Sequence, residues 1–473
     1  MNLQTPLYLL SLLIFTLIYW RLPVGLVRQV ALVVISYLCY ALFDPRFALL
    51  LAGLSIVIYF IGRGIISSTQ RFFLATIGVI LNLSVLIIFK YSGFFLESLR
   101  TVLAPWGITS LPVAFSLLLP IGISFYTFQG ISYIVGVYRK KLTPASFFDL
   151  MLYLAFFPKL IAGPIVSPKQ FFDELHQLPD RLANSDRSIA FKLLLSGLVK
   201  KVLIADSLTS LAGVAFRAAG QPGNPSFPTL LFIQGFYLYA IQIYADFSGY
   251  TDLARGSALL LGFHLPENFR QPYLSGTIAD FWNRWHMSLT AWFREYLFFP
   301  LSRSLLKRSG QRWSRQIQVV TNLITMILIG FWHGTNWTFV VWSVWHGLLV
   351  SIERITAWKP QKGWQTLLST LITFHLVAIG WVLFKSADFA SAFSFFAGMT
   401  NLKNLYWIPN FWPPILLAGG LMAGLDFIER GSLRYPARVR HVGIITAVVV
   451  LTGLTILSAV RGSDVHPFIY GNF

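Results

Sequence analysis

The sequence predicts an all-α polytopic membrane protein, with about 11–12 transmembrane helices plus re-entrant and interfacial helices. Of its 473 residues, 56% are hydrophobic and only 12% are charged, which is far outside the range of soluble globular proteins. Several uncharged windows are long enough to cross the membrane, which takes about 20 apolar residues. Barrel strands alternate with a period of two, so these continuous runs predict helices. The windows are 72–89, 366–384, 404–425 and 442–460.

We assign the membrane crossings by taking Arg21 and Arg28 as cytoplasmic and letting the chain change sides at each span. The first apolar stretch lacks a basic n-region and a small-residue cleavage site, so we expect a retained helix rather than a cleaved signal peptide. Both termini are then expected outside. The predicted crossings lie near 7–20, 29–44, 47–62, 72–89, 113–138, 190–215, 227–246, 316–333, 336–352, 366–384, 411–428 and 442–460.

The formal charge of +19 lies mainly in loops, where basic residues form three clusters at 139–141, 303–315 and 430–440. The alternation of crossings places all three on one side, as the positive-inside rule requires of a cytoplasmic face. We expect them to meet anionic membrane lipids, and the charge therefore needs no nucleic-acid partner. The single cysteine, Cys39, rules out an intramolecular disulfide.

Two regions do not have the pattern of ordinary spans. Segment 156–172 is apolar but contains three prolines and Gly163, which predicts a re-entrant or interfacial loop. Segment 246–315 is rich in aromatic residues beside charges, which predicts helices lying at the membrane interface.

The stretch "YADFSGYTDLARG" (244–256) opens the second of these regions. One interpretation is a helix break, in which Asp246 ends a span, Gly249 permits a turn, and Asp252 caps a helix or pairs with Arg255. The other is the polar wall of a cavity, because carboxylates at the edge of a span face water or protein rather than lipid.

The stretch "DFWNRWHMSLTAWFREYLFFP" (280–300) predicts one interfacial helix. His286 lies next to its aromatic stripe, where a hydrogen-bonded packing histidine is the commoner interpretation. The aromatic stripe consists of Trp285, Leu289, Trp292 and Tyr296. The opposite, solvated face is predicted to consist of Arg284, Arg294 and Glu295.

The stretch "FWHGTNWTFVVWSVWHG" (331–347) uses Trp-His-Gly twice, within an uncharged run long enough for two crossings. Gly334 to Asn336 supplies the break between them. His333 is therefore expected at the last turn of one helix and His346 inside the next. Their spacing, with no nearby cysteine or carboxylate, argues against a metal site, and no Gly-x-Ser-x-Gly elbow indicates a serine hydrolase. Acid–base chemistry remains, because burial favours the neutral imidazole that a general base requires.

Long ordered motifs throughout the chain resemble the membrane-bound O-acyltransferases, in particular the alginate O-acetyltransferase branch. The resemblance implies that family's fold as a single membrane-embedded domain over 1–473, with N-terminal helices 1–140, a catalytic core 141–400 and C-terminal helices 401–473. The motifs are "LLPIGISFYTFQGISYIVGVYR" (118–139), "GPIVSPKQF" (163–171), "DFSGYTDLARG" (246–256), "LPENFRQPY" (265–273), "FWNRWHMSLTAWFREYLFFPL" (281–301) and "GFWHGTNWTFVVWSVWHG" (330–347).

What the resemblance implies is acyl transfer across a plasma (inner) membrane. The donor would be a cytoplasmic thioester, acetyl-CoA or an acyl carrier, which is a substrate rather than a bound cofactor. The final acceptor would be a cell-surface polysaccharide, reached through a separate extracytoplasmic acetyltransferase partner. The family's catalytic histidine corresponds to His333 and its second histidine to His286. Further candidates for a substrate tunnel are Asp246, Ser248, Tyr250, Asp252, Trp285, Trp332 and Asn336.

Two alternatives remain open. D-alanyl transfer to teichoic acid uses the same fold, although the "GPIVSPKQF" and "LPENFRQPY" motifs favour polysaccharide acetylation. A polysaccharide or lipid transporter would use the histidines as a proton relay. It predicts ionisable residues in several spans and paired broken helices in two halves, and the sequence pattern shows neither.

Overall fold

The computed structural model describes residues 3–106, 118–221, 227–358, 363–408 and 411–431. These residues contain nineteen α-helices and no β-strand. The helices are α1 Pro6–Tyr19, α2 Leu26–Ala41, α3 Pro45–Ser67, α4 Arg71–Leu86, α5 Ser92–Leu103, α6 Ile123–Tyr138, α7 Phe147–Ala155, α8 Pro168–His176, α9 Asn184–Leu198, α10 Ser207–Ala219, α11 Thr229–Leu260, α12 Ile278–Trp282, α13 Met287–Phe293, α14 Phe299–Ser309, α15 Ser314–His333, α16 Trp337–Thr356, α17 Trp364–Lys385, α18 Phe389–Thr400 and α19 Trp412–Gly431.

The predicted crossings correspond to helices wherever the structure describes them, and the all-α polytopic membrane fold is confirmed. The crossing predicted at 442–460 and the basic residues beyond 431 lie outside the described residues. Within the described ranges, five helical stretches are long and apolar enough to cross a membrane. They are Pro45–Ser67, Arg71–Trp106, Thr229–Leu260, Ser314–His333 and Trp364–Lys385.

The chain forms two compact units. The first comprises Met1–Phe191 and Ala254–Pro266, and the second comprises Lys192–Leu253 and Glu267–Phe473. The predicted division of a single domain into N-terminal helices, catalytic core and C-terminal helices stays a prediction.

In the first unit, α3, α4, α6 and α7 pack together beside the irregular segment 156–167. This segment is non-helical as predicted, because its prolines and glycine interrupt the helix between α7 and α8. It is almost wholly buried and is held by Lys159, whose Nζ donates to Gln129 Oε1 at 2.7 Å and to the Tyr153 carbonyl at 2.6 Å. Its position relative to a membrane stays a prediction.

In the second unit, α15 and α16 form a tight helical hairpin, and α17 packs against α16. The predicted break between them is confirmed, because α15 ends at His333 and α16 begins at Trp337. Asn336 caps α16 by accepting a hydrogen bond from the Thr338 N–H at 3.0 Å, and it also donates to the Ala387 carbonyl. A capped turn thus fixes the direction in which the chain leaves His333.

Of the two interpretations of Asp246 to Asp252, the helix break is wrong, since α11 runs without interruption through this stretch, and the polar wall of a cavity stays a prediction. Gly249 serves instead for close packing of two helices. A Cβ on Gly249 would lie 2.9 Å from the Gly197 carbonyl oxygen, and a Cβ on Gly197 would lie 2.8 Å from the Gly249 carbonyl oxygen. Neither glycine could be replaced without separating the backbones.

The single interfacial helix predicted over 280–300 is also wrong. The stretch divides into α12, α13, a π-helical turn at Arg294–Phe298 and the start of α14. His286 itself makes the break between α12 and α13, with a left-handed backbone at φ 44°. A left-handed conformation is uncommon for residues other than glycine, although histidine is among those that adopt it. The spacing of the aromatic residues carries no information on backbone conformation at His286 and therefore did not predict the break.

Candidate functional site

His333 lies at the C-terminal end of α15 and is 2% exposed. Its ring centroid is 4.9 Å from that of Trp332, 5.0 Å from Trp342 and 5.4 Å from Phe384. The aromatic rings come from α15, α16 and α17, so three helices position this imidazole.

His286 is fully buried at the start of α13. Its ring lies edge-on to Phe247 of α11, with centroids 4.7 Å apart, and 5.9 Å from Trp332. Asn268 fixes the backbone that follows, since its carbonyl accepts from the Met287 N–H at 3.0 Å and its Oδ1 from the Ser288 N–H at 3.1 Å. Burial lowers the pKa of His286 to about 3, so the ring is neutral at physiological pH.

The two histidines predicted to be catalytic therefore meet at one indole. His286 and His333 come from different helices, and both rings contact Trp332. The structure thus brings two residues that are far apart in sequence to the same indole ring, and their catalytic role stays a prediction.

His346 belongs to the same aromatic packing but has a different setting. It lies in the interior of α16, fully buried, with ring centroids 5.3 Å from Trp342 and 5.4 Å from Trp282. Among the described residues, neither ring nitrogen has a hydrogen-bond partner. We call these three histidines, together with Trp332 and Trp342, the histidine cluster.

Asp246 and Asp252, predicted as tunnel residues, form buried ion pairs with two lysines of the π-helical turn Val199–Asp206, which follows α9. Lys201 Nζ lies 2.8 Å from Asp246 Oδ1 and 2.6 Å from Asp206 Oδ1, and Lys200 Nζ lies 2.8 Å from Asp252 Oδ2. We call these five residues the ion-pair cluster. They sit on helices that also carry the Gly197 and Gly249 contact, so the same close approach buries the charges.

The other predicted tunnel residues occupy several positions. Ser248 and Tyr250 are buried on α11. Trp285 is buried against Trp381, with ring centroids 4.8 Å apart, and Asn336 is the half-buried cap of α16. Their role in a tunnel stays a prediction.

A cavity of about 300 Å³ lies next to the histidine cluster, in the same unit. Trp282 is on its wall and also contacts Trp342, with ring centroids 5.9 Å apart. None of the predicted tunnel residues lines it. Its wall consists of Ala279, Trp282, Thr290, Phe293, Arg294, Phe298, Phe299, Asn322, Thr325, Met326, Ile329, Val350 and Arg354.

Sequence reasoning missed several residues of the site. Trp342 and Phe384 flank His333, but an aromatic residue in an apolar helix carries no local signal of such a role. Lys200 and Lys201 did carry a signal in the sequence, because a pair of lysines inside a predicted crossing requires partners of opposite charge or a polar environment.

Comparison with known proteins gives several similarities. The family model described as the membrane-bound O-acyltransferase family matches residues 132–358, a range that contains both clusters. The chain is 38% identical over 382 residues to a Pseudomonas aeruginosa protein named probable alginate O-acetylase, covering 79% of this chain and 69% of that protein.

Two other similarities concern different acceptors. The chain is 34% identical over 412 residues to the peptidoglycan O-acetyltransferase of Helicobacter pylori, covering 79% of this chain and 74% of that protein. It is 29% identical over 289 residues to the teichoic acid D-alanyltransferase of Bacillus subtilis, covering 57% of this chain and 69% of that protein.

Proposed function

Because the chain belongs to the membrane-bound O-acyltransferase family and is an O-acyltransferase, we propose that it transfers an acetyl group from a cytoplasmic thioester toward an extracytoplasmic polysaccharide hydroxyl. The observation that carries the proposal is the meeting of His333 and His286 at Trp332. Both imidazoles are buried where water is excluded, so a proton transfer between a bound hydroxyl and a ring nitrogen is not lost to solvent.

In the proposed mechanism, His333 is the general base. One ring nitrogen takes the proton from the acceptor hydroxyl as the oxygen attacks the thioester carbonyl. The carbon–sulfur bond then breaks, and the thiolate leaves and recovers a proton from the imidazolium. Positioned proton transfer of this kind contributes roughly 10²–10⁴ in rate.

His286 has a positioning role in this proposal. It is neutral because burial lowers the pKa of His286 to about 3, and it contacts the same indole as His333. A neutral imidazole can donate one hydrogen bond and accept another, so it can orient the donor or a proton on the way to His333.

The proposed orientation puts the basic clusters in the cytoplasm of a multi-pass inner-membrane protein, as their distribution predicts. Single cysteines at Ser309 and Gly363, in a Cys39→Ser background, test it. We expect both to be shielded from a membrane-impermeant thiol reagent in intact cells and labelled after permeabilisation. Labelling of both in intact cells would overturn the orientation.

The basic loop 303–315 also supports a cytoplasmic donor, because its charge would attract an anionic thioester over a long range. Neutralising Arg303, Lys307 and Arg308 together should raise the KM for the donor and reduce its dependence on salt. Kinetics that do not change would leave the loop as a determinant of topology alone.

The acceptor is proposed from the relatives. Proteins named for alginate and peptidoglycan acetylation are 38% and 34% identical to this chain, and the D-alanyltransferase is 29% identical. The decisive experiment reconstitutes the purified protein with acetyl-CoA or an acetylated carrier and polysaccharide, with and without an extracytoplasmic acetyltransferase partner. We expect polymer acetylation only with the partner. Full acetylation without the partner protein would show that no partner is needed. A parallel reaction with a D-alanylated carrier and teichoic acid tests the alternative, and transfer of D-alanine there, without transfer of acetyl, would identify it.

A further inference from the structure

His286 stands at the N-cap position of α13, a position that asparagine, aspartate, serine and threonine usually occupy. The side chains of those residues accept a hydrogen bond from a backbone N–H in the first turn of the helix. In the described part of the chain, the His286 side chain makes no such capping bond. Its ring packs instead on Phe247, with centroids 4.7 Å apart, and on Trp332 at 5.9 Å. The cap of α13 must therefore come from another residue.

Asn268 supplies this cap from a different part of the chain. Its Oδ1 accepts from the Ser288 N–H at 3.1 Å, and its backbone carbonyl accepts from the Met287 N–H at 3.0 Å. Met287 and Ser288 are the first two residues of α13, whose N–H groups have no acceptor within the helix. One residue, twenty positions before Ser288, thus satisfies both donors.

Arg270, in the same segment, holds the other side of the bend. Its N–H donates to the Arg284 carbonyl at 2.9 Å, so hydrogen bonds from one segment fall on both sides of His286. Between them, Phe269 packs against Trp285 with ring centroids 5.0 Å apart. A left-handed backbone such as that of His286, at φ 44°, persists only where its surroundings fix it. These contacts are the surroundings that fix it here.

Asn268 is fully buried, whereas its charged neighbours Glu267 and Arg270 are exposed and pair with each other at 3.1 Å. Among the described residues, the Asn268 Nδ2 has no hydrogen-bond partner. Burying an amide with part of its hydrogen bonding unmade costs free energy, so packing alone would favour an aliphatic residue. The bond from the Ser288 N–H to Oδ1 is what an aliphatic residue could not make.

We propose that Asn268 is a positioning residue for His286, because it caps α13 in place of His286 and so leaves the imidazole packed on Trp332. His333 contacts the same indole. The proposal deepens the proposed function and rests on it, since it explains how one of the two imidazoles is kept in place for acyl transfer. Without Oδ1, the Ser288 N–H loses its acceptor and the His286 ring is no longer held in one position. A misplacement of about 1 Å can cost roughly 10²-fold in rate.

The first test compares Asn268→Ala with Asn268→Asp. Alanine removes the acceptor, so we expect kcat for acyl transfer from acetyl-CoA or an acetylated carrier to fall about 10- to 100-fold, with KM changing less than about twofold. Aspartate keeps an acceptor oxygen at the same place and is as good a cap as asparagine, so Asn268→Asp should keep kcat within about threefold of the wild type.

Gln242→Ala is the matched control, since it removes another buried amide of the same unit, one that donates to the Thr209 hydroxyl at 2.9 Å. It should change kcat less than about twofold. Monodispersity and apparent Tm report whether each variant is folded. A merely structural role for Asn268 would lower the apparent Tm and the yield while kcat per folded molecule stayed unchanged, and that result would overturn the proposal.

A double variant tests whether Asn268 acts through His286, and it does not depend on the folding of Asn268→Asp. His286→Asn removes the imidazole that Asn268 is proposed to position. Adding Asn268→Ala to this variant should change the remaining transfer less than about threefold, because the group through which Asn268 acts is already absent. Losses that multiply in the double variant would show that Asn268 acts independently of His286.

Hydrogen–deuterium exchange separates failure of this proposal from failure of the proposed function, because it needs no substrate. Amides within 285–290 should exchange at least about threefold faster in Asn268→Ala than in the wild type or Asn268→Asp, since the Ser288 N–H loses its acceptor. Unchanged exchange in Asn268→Ala would overturn the positioning itself. Absence of transfer by the wild-type protein from every donor would overturn the proposed function, while faster exchange would still show that Asn268 holds the start of α13.

Discussion

The histidine cluster and the ion-pair cluster lie in one unit, but the contacts described for them differ in kind. Helix α11 carries Asp246 and Asp252 of the ion-pair cluster and also Phe247, which contacts His286 of the histidine cluster. In the ion-pair cluster, the carboxylates of Asp246 and Asp252 meet lysine ammonium groups at 2.8 Å. One residue after Asp246, Phe247 packs against the ring of His286 in an edge-on arrangement, with centroids 4.7 Å apart. The adjacent residues Asp246 and Phe247 of α11 thus contact different clusters, Asp246 through an ion pair and Phe247 through ring packing.

This difference separates stability from chemistry. A buried charge without its partner is costly, so each member of the ion-pair cluster holds the fold in place. Removing a neutral imidazole from among aromatic rings costs less unfolding free energy than removing one partner of a buried ion pair. Its ring nitrogens can exchange protons or hydrogen bonds with a substrate. We therefore expect substitutions of His333 and His286 to reduce activity. Substitutions in the ion-pair cluster, and of His346 inside α16, should reduce stability instead, and four predictions test that division.

The largest effect is expected at His333. His333→Ala should reduce acyl transfer by about 10²–10⁴ while folded protein remains in the membrane, because the general base is lost and the α15–α16 turn keeps its cap at Asn336. Acetyl transfer is measured per amount of monodisperse, detergent-extracted protein, with His375→Ala as a histidine control elsewhere. A fully active variant would assign the chemistry to another residue.

Lys200 should give the next largest effect, on stability. Lys200→Met leaves the Asp252 carboxylate buried without its 2.8 Å partner, which should cost about 3–5 kcal/mol of unfolding free energy. Adding Asp252→Leu removes the stranded charge, so the double variant should regain most of that loss. The measurement is the apparent melting temperature and the yield of extracted protein. Equal stability of Lys200→Met and the wild-type protein would contradict a stabilising ion pair.

His286 should follow, with an effect on activity of about 10², or roughly 2.7 kcal/mol. His286→Ala tests the imidazole, and His286→Asn is its control for the backbone, because asparagine adopts the left-handed conformation observed at φ 44° more readily than alanine. We expect both variants to lose most of their acyl transfer, with His286→Asn keeping the higher melting temperature. A positioning role predicts a larger change in kcat than in KM. Full activity of His286→Asn would show that only the backbone bend is needed.

The sequence predicted the α15–α16 hairpin because its determinants are local. Uncharged length, Gly334 and the Asn336 cap all occur within the chain segment that forms it. It did not predict the continuity of α11 or the ion-pair cluster, since Lys200 and Asp252 are 52 residues apart and only tertiary packing brings them together. The bend at His286 was missed for a related reason, because a left-handed histidine depends on its surroundings rather than on its own preference.

The two Trp-His-Gly triplets provide the last and smallest expected effect. Gly334 follows His333 at the end of a helix, where a Cβ would overlap the Phe339 ring, so the chain must turn closely there. His346 instead lies inside α16, stacked on Phe281 at 6.2 Å and beside Trp342 at 5.3 Å. Its ring fills space among other rings in the interior of α16, whereas His333 lies at the break between α15 and α16.

His346→Ala should therefore cost about 2 kcal/mol of stability through the cavity it leaves, with activity per folded molecule within about threefold of the wild type. His346→Phe, which keeps a planar ring, should recover part of the stability and change activity no further. The measurements are apparent melting temperature and normalised acetyl transfer, made beside His333→Ala. A well-folded but inactive His346→Phe protein would place His346 in the chemistry and end the division between the two triplets.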